Sequence, residues 1–93
     1  MKGKKYDANK LRYDLINITA LEEVIKALMF GANLYGDGNY RLVKNKRIRY
    51  WSAAMRHLTE YKKGSRKDTD SKLHPLAHAI VDCLFIIEQD MKK

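Results

Sequence analysis

Residues 52–85 read SAAMRHLTEYKKGSRKDTDSKLHPLAHAIVDCLF, with a helical pattern on each side of a short polar loop. Apolar residues recur every three or four positions in both halves, which is typical of amphipathic helices. Residues four apart share one face of a helix, so His74, His78 and Asp82 would line one stripe. His57 and Glu60 would face this stripe if the two helices pack antiparallel. The stretch therefore predicts a pocket of carboxylates and imidazoles between two helices.

The whole chain has the pattern of a small helical protein. Thr19 and Glu22 form a capping-box pattern before a first apolar periodic segment, and Gly36 is a natural stop for it. Gly64 follows the second segment, and Pro75 suits the first turn of a third. We expect main helices at residues 18–36, 48–63 and 71–91, no strand and no repeat. The sequence thus predicts an all-α fold, a three- to four-helix bundle in a single domain spanning residues 1–93.

Two segments outside the helices are strongly basic. Residues 1–17 lack sustained periodicity and alternate basic, aromatic and acidic side chains. They are interpreted as an extended basic N-terminal arm laid over a ligand or partner, with a solvated tail as the alternative. Residues 36–39 form a turn by composition, and the basic residues that follow, up to residue 49, are expected to be an irregular loop.

Length and charge limit the class of protein. A chain of 93 residues buries a modest fraction of its surface, so a homo-oligomer is expected. The formal charge of +8 indicates an anionic partner, which could be a nucleotide, a nucleic acid or an acidic membrane face. The single cysteine, Cys83, excludes an internal disulfide and favours a reducing cytoplasm. No apolar run is long enough to span a bilayer, so no membrane partner is expected.

The acidic residues of the central stretch are candidate metal ligands. Hard cations such as Mg²⁺ and Mn²⁺ prefer oxygen ligands and keep several waters. Asp82 interrupts an apolar helix, and a buried carboxylate needs a partner or a metal. Two alternatives stay open: Asp82 could pair with a Tyr, Arg or His of the bundle, and Asp70 could cap the third helix. The predicted metal ligands are Glu60, Asp68, Asp70 and Asp82.

The histidines have no zinc-binding pattern, because no HExxH motif and no cysteine pair accompany them. His57, Glu60 and His78 are instead candidate catalytic residues, which would contact phosphate or act as a general base. For His57 the alternative is a core histidine with a satisfied hydrogen bond. No glycine-rich phosphate loop and no nucleophile elbow occurs in the sequence.

Five segments in order resemble a known family over most of the chain. They are GKKYDANKLRYDLI, ALEEVIKALMFGANLYGDGNY, AAMRHLTEYKKG, DTDS and LAHA. This set resembles the small phage and bacterial dATP/dGTP diphosphohydrolases, which are related to the all-α MazG-like nucleoside triphosphate pyrophosphohydrolases. The resemblance implies an oligomeric enzyme that uses Mg²⁺ or Mn²⁺ to release pyrophosphate from a purine (deoxy)nucleoside triphosphate.

The resemblance also implies nucleotide-binding positions, and Arg41 is expected to close over the polyphosphate with the arm. Together the predicted nucleotide-binding residues are Lys10, Arg12, Phe30, Tyr35, Asn39, Tyr40, Arg41 and Arg56. Asp68 and His78 match the family's polar positions in the loop and third helix. Several family positions differ here: Ser65 and Ala79 stand where the related families have a glutamate, and Asp82 stands where asparagine is common.

Three functional hypotheses stay open. The first is metal-dependent hydrolysis of a purine nucleoside triphosphate. The second is a catalytically degenerate phage protein that sequesters a nucleotide, or a cyclic-nucleotide or ADP-ribose-type immune signal, and needs no metal cofactor. The third is a nucleic-acid-binding module that uses the two basic clusters, with tyrosines available for base stacking.

Overall fold

A computed structural model describes residues 2–92 of the chain. Three α-helices follow one another, α1 (Ile18–Tyr35), α2 (Lys46–Lys62) and α3 (Pro75–Met91), with short 3-10 helices at Tyr13–Leu15 and Asn39–Leu42. No strand occurs within residues 2–92. The prediction of an all-α fold is confirmed. None of the helices in this described part combines the length and hydropathy needed to cross a membrane.

Helices α2 and α3 pack antiparallel along their full lengths. The rings of Tyr61 and His74 are 5.5 Å apart at one end of the pair. At the other end Arg47 forms an ion pair with Asp90. The polar loop between the two helices is short, and such a loop favours antiparallel neighbours. This packing turns the polar residues in the middle of both helices toward each other.

The hydrophobic core is built from small side chains. Val24 and Ala27 of α1 pack against Ala77 and Val81 of α3, and Ala54 of α2 is also buried. Because alanine and valine project little, side chains of this size allow helix backbones to approach closely. Helix α3 lies between the other two and carries most of the buried residues, as its nearly continuous apolar sequence predicts.

The N-cap of helix α1 lies two residues before the cap that the sequence predicts. The Asn17 side chain accepts a hydrogen bond from the Ala20 N–H at 3.0 Å, so Asn17 is the N-cap. The predicted capping box at Thr19 is therefore wrong, since Thr19 already lies inside the helix. The helix ends as predicted at Gly36, whose φ of 96° is readily adopted only by glycine.

Helix α3 begins at Pro75, four residues after the predicted start at residue 71. Residues 68–73 instead form a tight turn, in which the Asp68 N–H donates to the Leu73 carbonyl at 2.7 Å. The His74 side chain caps α3 by accepting from the Leu76 N–H at 3.1 Å. The alternative that Asp70 caps this helix is therefore wrong.

Helix α2 begins at Lys46, two residues before the predicted start, directly after Asn45 in the left-handed conformation.

The segment expected to be an irregular loop contains the 3-10 helix Asn39–Leu42, which docks on α3. The Tyr40 hydroxyl donates to Glu88 at 2.6 Å, and Arg41 forms an ion pair with the same carboxylate at 2.9 Å. These hydrogen bonds, from Arg41 first and then Tyr40, lower the pKa of Glu88 to about 2. The Tyr40 ring also stacks on Phe85, with centroids 3.8 Å apart. These contacts fix the segment over one end of the helix pair.

The N-terminal residues 2–17 are exposed throughout. Within this segment Arg12 and Asp14 form an ion pair at 2.7 Å across the 3-10 helix Tyr13–Leu15. Apolar side chains are exposed here as well, including Tyr6 and Leu11.

The corrected helix start can be tested with a matched pair of variants. Asn17→Ala should lower the free energy of unfolding by about 1 kcal/mol, because the Ala20 N–H loses its acceptor. Thr19→Ala should change it by less than about 0.5 kcal/mol, since Thr19 caps nothing. Urea unfolding followed by circular dichroism measures both. A larger loss for Thr19→Ala than for Asn17→Ala would contradict the assignment.

Candidate functional site

A cavity of about 740 Å³ opens between the C-terminal half of α1, the segment after it, and the α2–α3 pair. We call this cavity the site pocket. Its chemically distinctive lining residues are Phe30, Tyr35, Asn39, Tyr40, Arg41, Tyr50, His57, Asp68, Asp70, His78, Asp82 and Phe85. The pocket is therefore bordered by all three helices and by both connecting loops.

Asp68, Ser71 and His78 form a hydrogen-bonded chain in the polar half of the pocket. The Ser71 hydroxyl donates to Asp68 Oδ2 at 3.2 Å and lies 2.7 Å from His78 Nε2. With that hydroxyl proton directed at Asp68, His78 Nε2 is the donor to Ser71 Oγ. Burial alone would raise the pKa of Asp68, but the backbone N–H groups of Ser71 and Asp70 and the Ser71 hydroxyl lower it below its usual value. Asp68 is thus a charged anchor that orients His78.

Asp82 is buried without a hydrogen-bond partner on one of its oxygens. The side chain lies between α2 and α3, and Oδ2 has no partner. His57 Nε2 lies 3.9 Å from Asp82 Oδ2, which is too far for a hydrogen bond. Burial raises the pKa of Asp82 to about 7, although the positive charge of Arg56 opposes the rise. Asp82 can therefore both accept and release a proton near neutral pH.

His57 connects Asp82 to the Asp68 chain. Its ring stacks on His78 with centroids 5.0 Å apart. Burial lowers the pKa of His57, and the neighbouring His78 lowers it further. A neutral His57 at pH 7 has one nitrogen free to accept a proton. The polar half thus contains two carboxylates and two imidazoles with different proton affinities.

The other half of the pocket is aromatic. The Tyr40 ring stacks on Phe85, and the Tyr50 ring meets Phe85 edge-on, with these two centroids 5.1 Å apart. His78, Asp82 and Phe85 succeed one another along two turns of α3, so the lining changes from polar to aromatic along the helix. Such a cleft suits an amphipathic ligand with a planar ring at one end and polar groups at the other.

A shallower groove of about 500 Å³ shares His57 and Asp68 with the site pocket. Arg56, Glu60 and Lys63 also line this groove. The two cavities therefore meet at His57 and Asp68, and the groove offers cations that the polar half of the pocket lacks.

The structure places most of the predicted site residues around these two cavities. Of the predicted nucleotide-binding residues, Phe30, Tyr35, Asn39, Tyr40 and Arg41 line the site pocket and Arg56 lines the groove. Lys10 and Arg12 line neither cavity. Of the predicted catalytic residues, His57 and His78 line the pocket, whereas Glu60 is exposed and lines only the groove.

The predicted metal ligands do not form a preformed metal centre. Asp68, Asp70 and Asp82 line the pocket, but within residues 2–92 no three acidic, histidine or cysteine side chains are close enough to hold an ion together. Asp82 Oδ2 has no hydrogen-bond partner and is itself buried, although the residue lines this cavity. Mg²⁺ in many proteins is held by one or two carboxylates together with substrate phosphates. The residues present fit a cation that arrives with phosphates and do not fit one held by protein alone.

Ser71 and Glu88 contribute to the site in ways that sequence reasoning missed. Ser71 bridges Asp68 and His78. Serine is equally common in polar loops without such a role, so the sequence pattern does not indicate it. Glu88 holds Tyr40 and Arg41 in place across 47 and 48 residues of chain. Only the fold brings such distant residues together.

Comparison with known proteins agrees with the geometry. The chain matches the family described as dATP/dGTP diphosphohydrolase, N-terminal, over residues 1–93. The chain belongs to this family. It is also 35% identical over 86 residues to a dATP/dGTP diphosphohydrolase of Salmonella phage PMBT28. The match covers 92% of the chain but 29% of that phage protein. No solved structure matches the chain significantly.

Family membership confirms the resemblance found in the sequence. The dATP/dGTP diphosphohydrolase N-terminal match includes the helices and loops that border the site pocket, because it spans every residue. The chain spans less than a third of the length of its phage relative, so the activity of that longer protein does not transfer automatically to this segment.

The burial of Asp82 makes a prediction about stability and pH. Its pKa of about 7 in the folded chain lies above its value in the unfolded chain, so the folded state binds more protons between pH 4 and 7. The contribution of Asp82 therefore becomes less favourable as pH rises through that window. Asp82→Asn should raise the free energy of unfolding above pH 7, by at most about 4 kcal/mol, with little gain at pH 4.

Urea unfolding of both proteins at pH 4, 5.5, 7 and 8 measures this difference directly. Subtracting the two profiles removes the contribution of the other titrating groups. A difference that stays constant with pH, or that is largest at pH 4, would contradict the burial of an unpartnered carboxyl group at this position.

Proposed function

We propose that this chain binds a purine (deoxy)nucleoside triphosphate in the site pocket and hydrolyses it, with release of pyrophosphate. The observation that carries the proposal is the continuous change along α3 from a carboxylate–imidazole cluster to stacked aromatic rings, in a member of the dATP/dGTP diphosphohydrolase N-terminal family. A nucleotide has the same polarity along its length, from phosphates to a flat base.

The aromatic half receives the base in this proposal. A purine offers a larger flat surface than a pyrimidine, and stacking on an aromatic side chain contributes about 1–3 kcal/mol per base. Tyr40, Tyr50 and Phe85 supply the rings, and Asn39 supplies hydrogen-bonding groups at the same end of the pocket. Glu88 keeps Tyr40 in its stacked position.

The triphosphate extends past His57 toward the groove. Arg56 and Lys63 line that groove and supply positive charge for the terminal phosphates. Arg41 already forms an ion pair with Glu88, which leaves it better suited to hold the segment in place than to neutralise phosphate. The arm residues Lys10 and Arg12 remain candidates for additional phosphate contacts, because residues 2–17 are exposed.

In this proposal the attacking water is oriented and deprotonated by His57, His78 and Asp82. Water attacks the α-phosphorus, the bond from that atom to the bridging oxygen of the β-phosphate breaks, and pyrophosphate leaves with the bond electrons. Neutral His57 or ionised Asp82 accepts the water proton, and His78, whose Nε2 donates to Ser71 Oγ, accepts a hydrogen bond from that water through Nδ1. Glu60 remains a candidate base or ligand on the groove side.

In this proposal a divalent cation binds in the pocket together with the phosphates of the substrate. Asp82 and Asp68 would hold Mg²⁺ or Mn²⁺ together with phosphate oxygens, with Asp70 and Glu60 nearby in the two cavities. When bound, the cation would neutralise phosphate charge and stabilise the leaving pyrophosphate.

Pyrophosphate release by the purified chain tests the proposal. With Mg²⁺ or Mn²⁺, dATP or dGTP should yield the monophosphate and pyrophosphate faster than dCTP or dTTP. His78→Gln should reduce turnover about 100-fold or more, the range expected for removal of an acid–base or water-orienting group. Glu22→Gln, an exposed change in the second turn of α1, should leave turnover unchanged. No pyrophosphate from any nucleotide would overturn the hydrolytic proposal.

Sequestration is the second candidate, and the absence of a three-ligand metal cluster in the described residues favours it. A sequestering pocket would bind its ligand without metal and release it unchanged. The deciding measurement is calorimetric binding of a nucleotide in excess chelator, followed by denaturation and chromatography of the ligand. Metal-independent binding with intact recovery supports sequestration, whereas binding that requires Mg²⁺ contradicts it.

A further inference from the structure

The end of the helix pair where α2 connects to α3 is strongly cationic. Residues 62–72 carry five cationic and two acidic side chains, a net charge of +3. The five cations, which we call the cationic end, are Lys62, Lys63, Arg66, Lys67 and Lys72. All five are exposed, and within residues 2–92 none of them forms an ion pair. Their charge is therefore available to an anionic partner.

Arg66 is held in place as a flat platform. Its guanidinium carbon lies 4.2 Å from the centre of the Tyr61 ring. Its Nη1 donates to the carbonyl oxygens of Tyr61 and Ser65, at 3.2 and 3.0 Å. Because Arg66 is exposed, the guanidinium face away from Tyr61 is open to solvent. An arginine plane fixed in this way can stack on an unpaired nucleobase.

Lys72 has a backbone conformation that lysine rarely adopts. Its φ is 66°, in the left-handed region, where a residue with a Cβ is strained. The other non-glycine residues with positive φ in the described chain are Asn9 and Asn45, and asparagine is enriched in this region. Strain at a single residue is typical of functional positions. At position 72 a lysine adds positive charge that an asparagine would not.

We infer that the cationic end binds single-stranded nucleic acid, with phosphates on the lysines and one base stacked on Arg66. Clustered cations bind a polyanion by releasing its counterions. Residues 62–72 include no apolar side chain, which argues against a membrane surface, because peripheral membrane binding depends on buried apolar area as well as charge. The Arg66 platform favours a single strand, since neighbouring bases cover both faces of each internal base in a duplex.

The cationic end is separate from the site pocket. Lys63 lines the groove, whereas the other four residues line neither cavity. Nucleic-acid binding therefore does not depend on nucleotide hydrolysis, and either can fail without the other. Lys67→Gln combined with Lys72→Gln should leave pyrophosphate release unchanged.

The salt dependence of binding tests the role of the lysines. Fluorescence anisotropy of a short labelled oligodeoxyadenylate, titrated with the chain at several salt concentrations, measures the binding constant. The slope of its logarithm against the logarithm of salt concentration should be about −3, because each phosphate contact on a single strand contributes about −0.7. Lys67→Gln combined with Lys72→Gln should make the slope about 1.4 less steep and weaken binding about tenfold.

A double variant of equal charge is the control. Lys26→Gln combined with Lys44→Gln removes two exposed cations from α1 and from the turn before α2. This variant should keep the slope and the affinity of the unchanged chain. An equal loss in both double variants would show attraction to the net charge alone and would overturn the inference.

An abasic oligonucleotide of the same length tests the Arg66 platform. Arg66→Lys keeps the charge but removes the plane, so it should weaken binding of the oligodeoxyadenylate about tenfold with an unchanged salt slope. The unchanged chain should bind the abasic strand about tenfold more weakly than the intact one. Equal binding of intact and abasic strands, or equally tight binding of polyglutamate, would contradict recognition of nucleic acid.

Lys72→Gly separates binding from folding. Glycine adopts a φ of 66° without strain, so the midpoint of urea unfolding should stay the same or rise. Binding of the oligodeoxyadenylate should nevertheless weaken, because one cation is lost. Binding as tight as that of the unchanged chain would contradict the role assigned to this lysine.

Discussion

The close packing of α2 against α3 around Asp82 is the constraint on which the rest of the structure depends. Ala54 of α2 and Ala79 of α3 are small buried residues, and the packing of these two helices buries a carboxyl group without giving one of its oxygens a partner. An isolated buried charge is costly, so the group holds its proton up to about pH 7. A more polar or wider interface would remove both the energetic cost of burying the Asp82 charge and the raised pKa that results from it.

The two connecting loops complete the site by docking on this helix pair. Glu88 of α3 holds Tyr40 and Arg41 over the aromatic end, and Asp68 organises the turn that brings Ser71 to His78 at the polar end. The pocket is therefore built by loops that are themselves fixed by buried or charge-assisted hydrogen bonds. Preorganisation of this kind lowers the entropy lost when a ligand binds.

Local sequence pattern accounts for the helices and for most of the polar cluster. Apolar periodicity predicted all three helices, and the four-residue spacing of His78 and Asp82 correctly put them on one side of α3. Glu60 was predicted to join them. Because Glu60 follows His57 by three residues, it lies about 60° away around the helix axis and lines the groove. The Asn17 cap was missed because Thr19 offered an equally good pattern two residues later.

The long-range contacts could not be predicted from sequence alone. Tyr40 and Arg41 lie in a basic segment without periodicity, and their partner Glu88 is nearly fifty residues away. The sequence likewise did not decide whether the Asp82 carboxyl group has a partner, because pairing with a Tyr, Arg or His was equally consistent with it. The outcome depends on the distance from Asp82 Oδ2 to His57 Nε2, which is 3.9 Å and is set by the packing of the two helices.

Direct titration of the Asp82 carboxyl group tests the central claim most directly. Carbon-13 NMR of the side-chain carboxyl carbon, assigned by comparison with Asp82→Asn, follows protonation of this one residue in the folded chain. The account predicts a midpoint near pH 7. A midpoint near pH 4, the ordinary range of an aspartate, would contradict it.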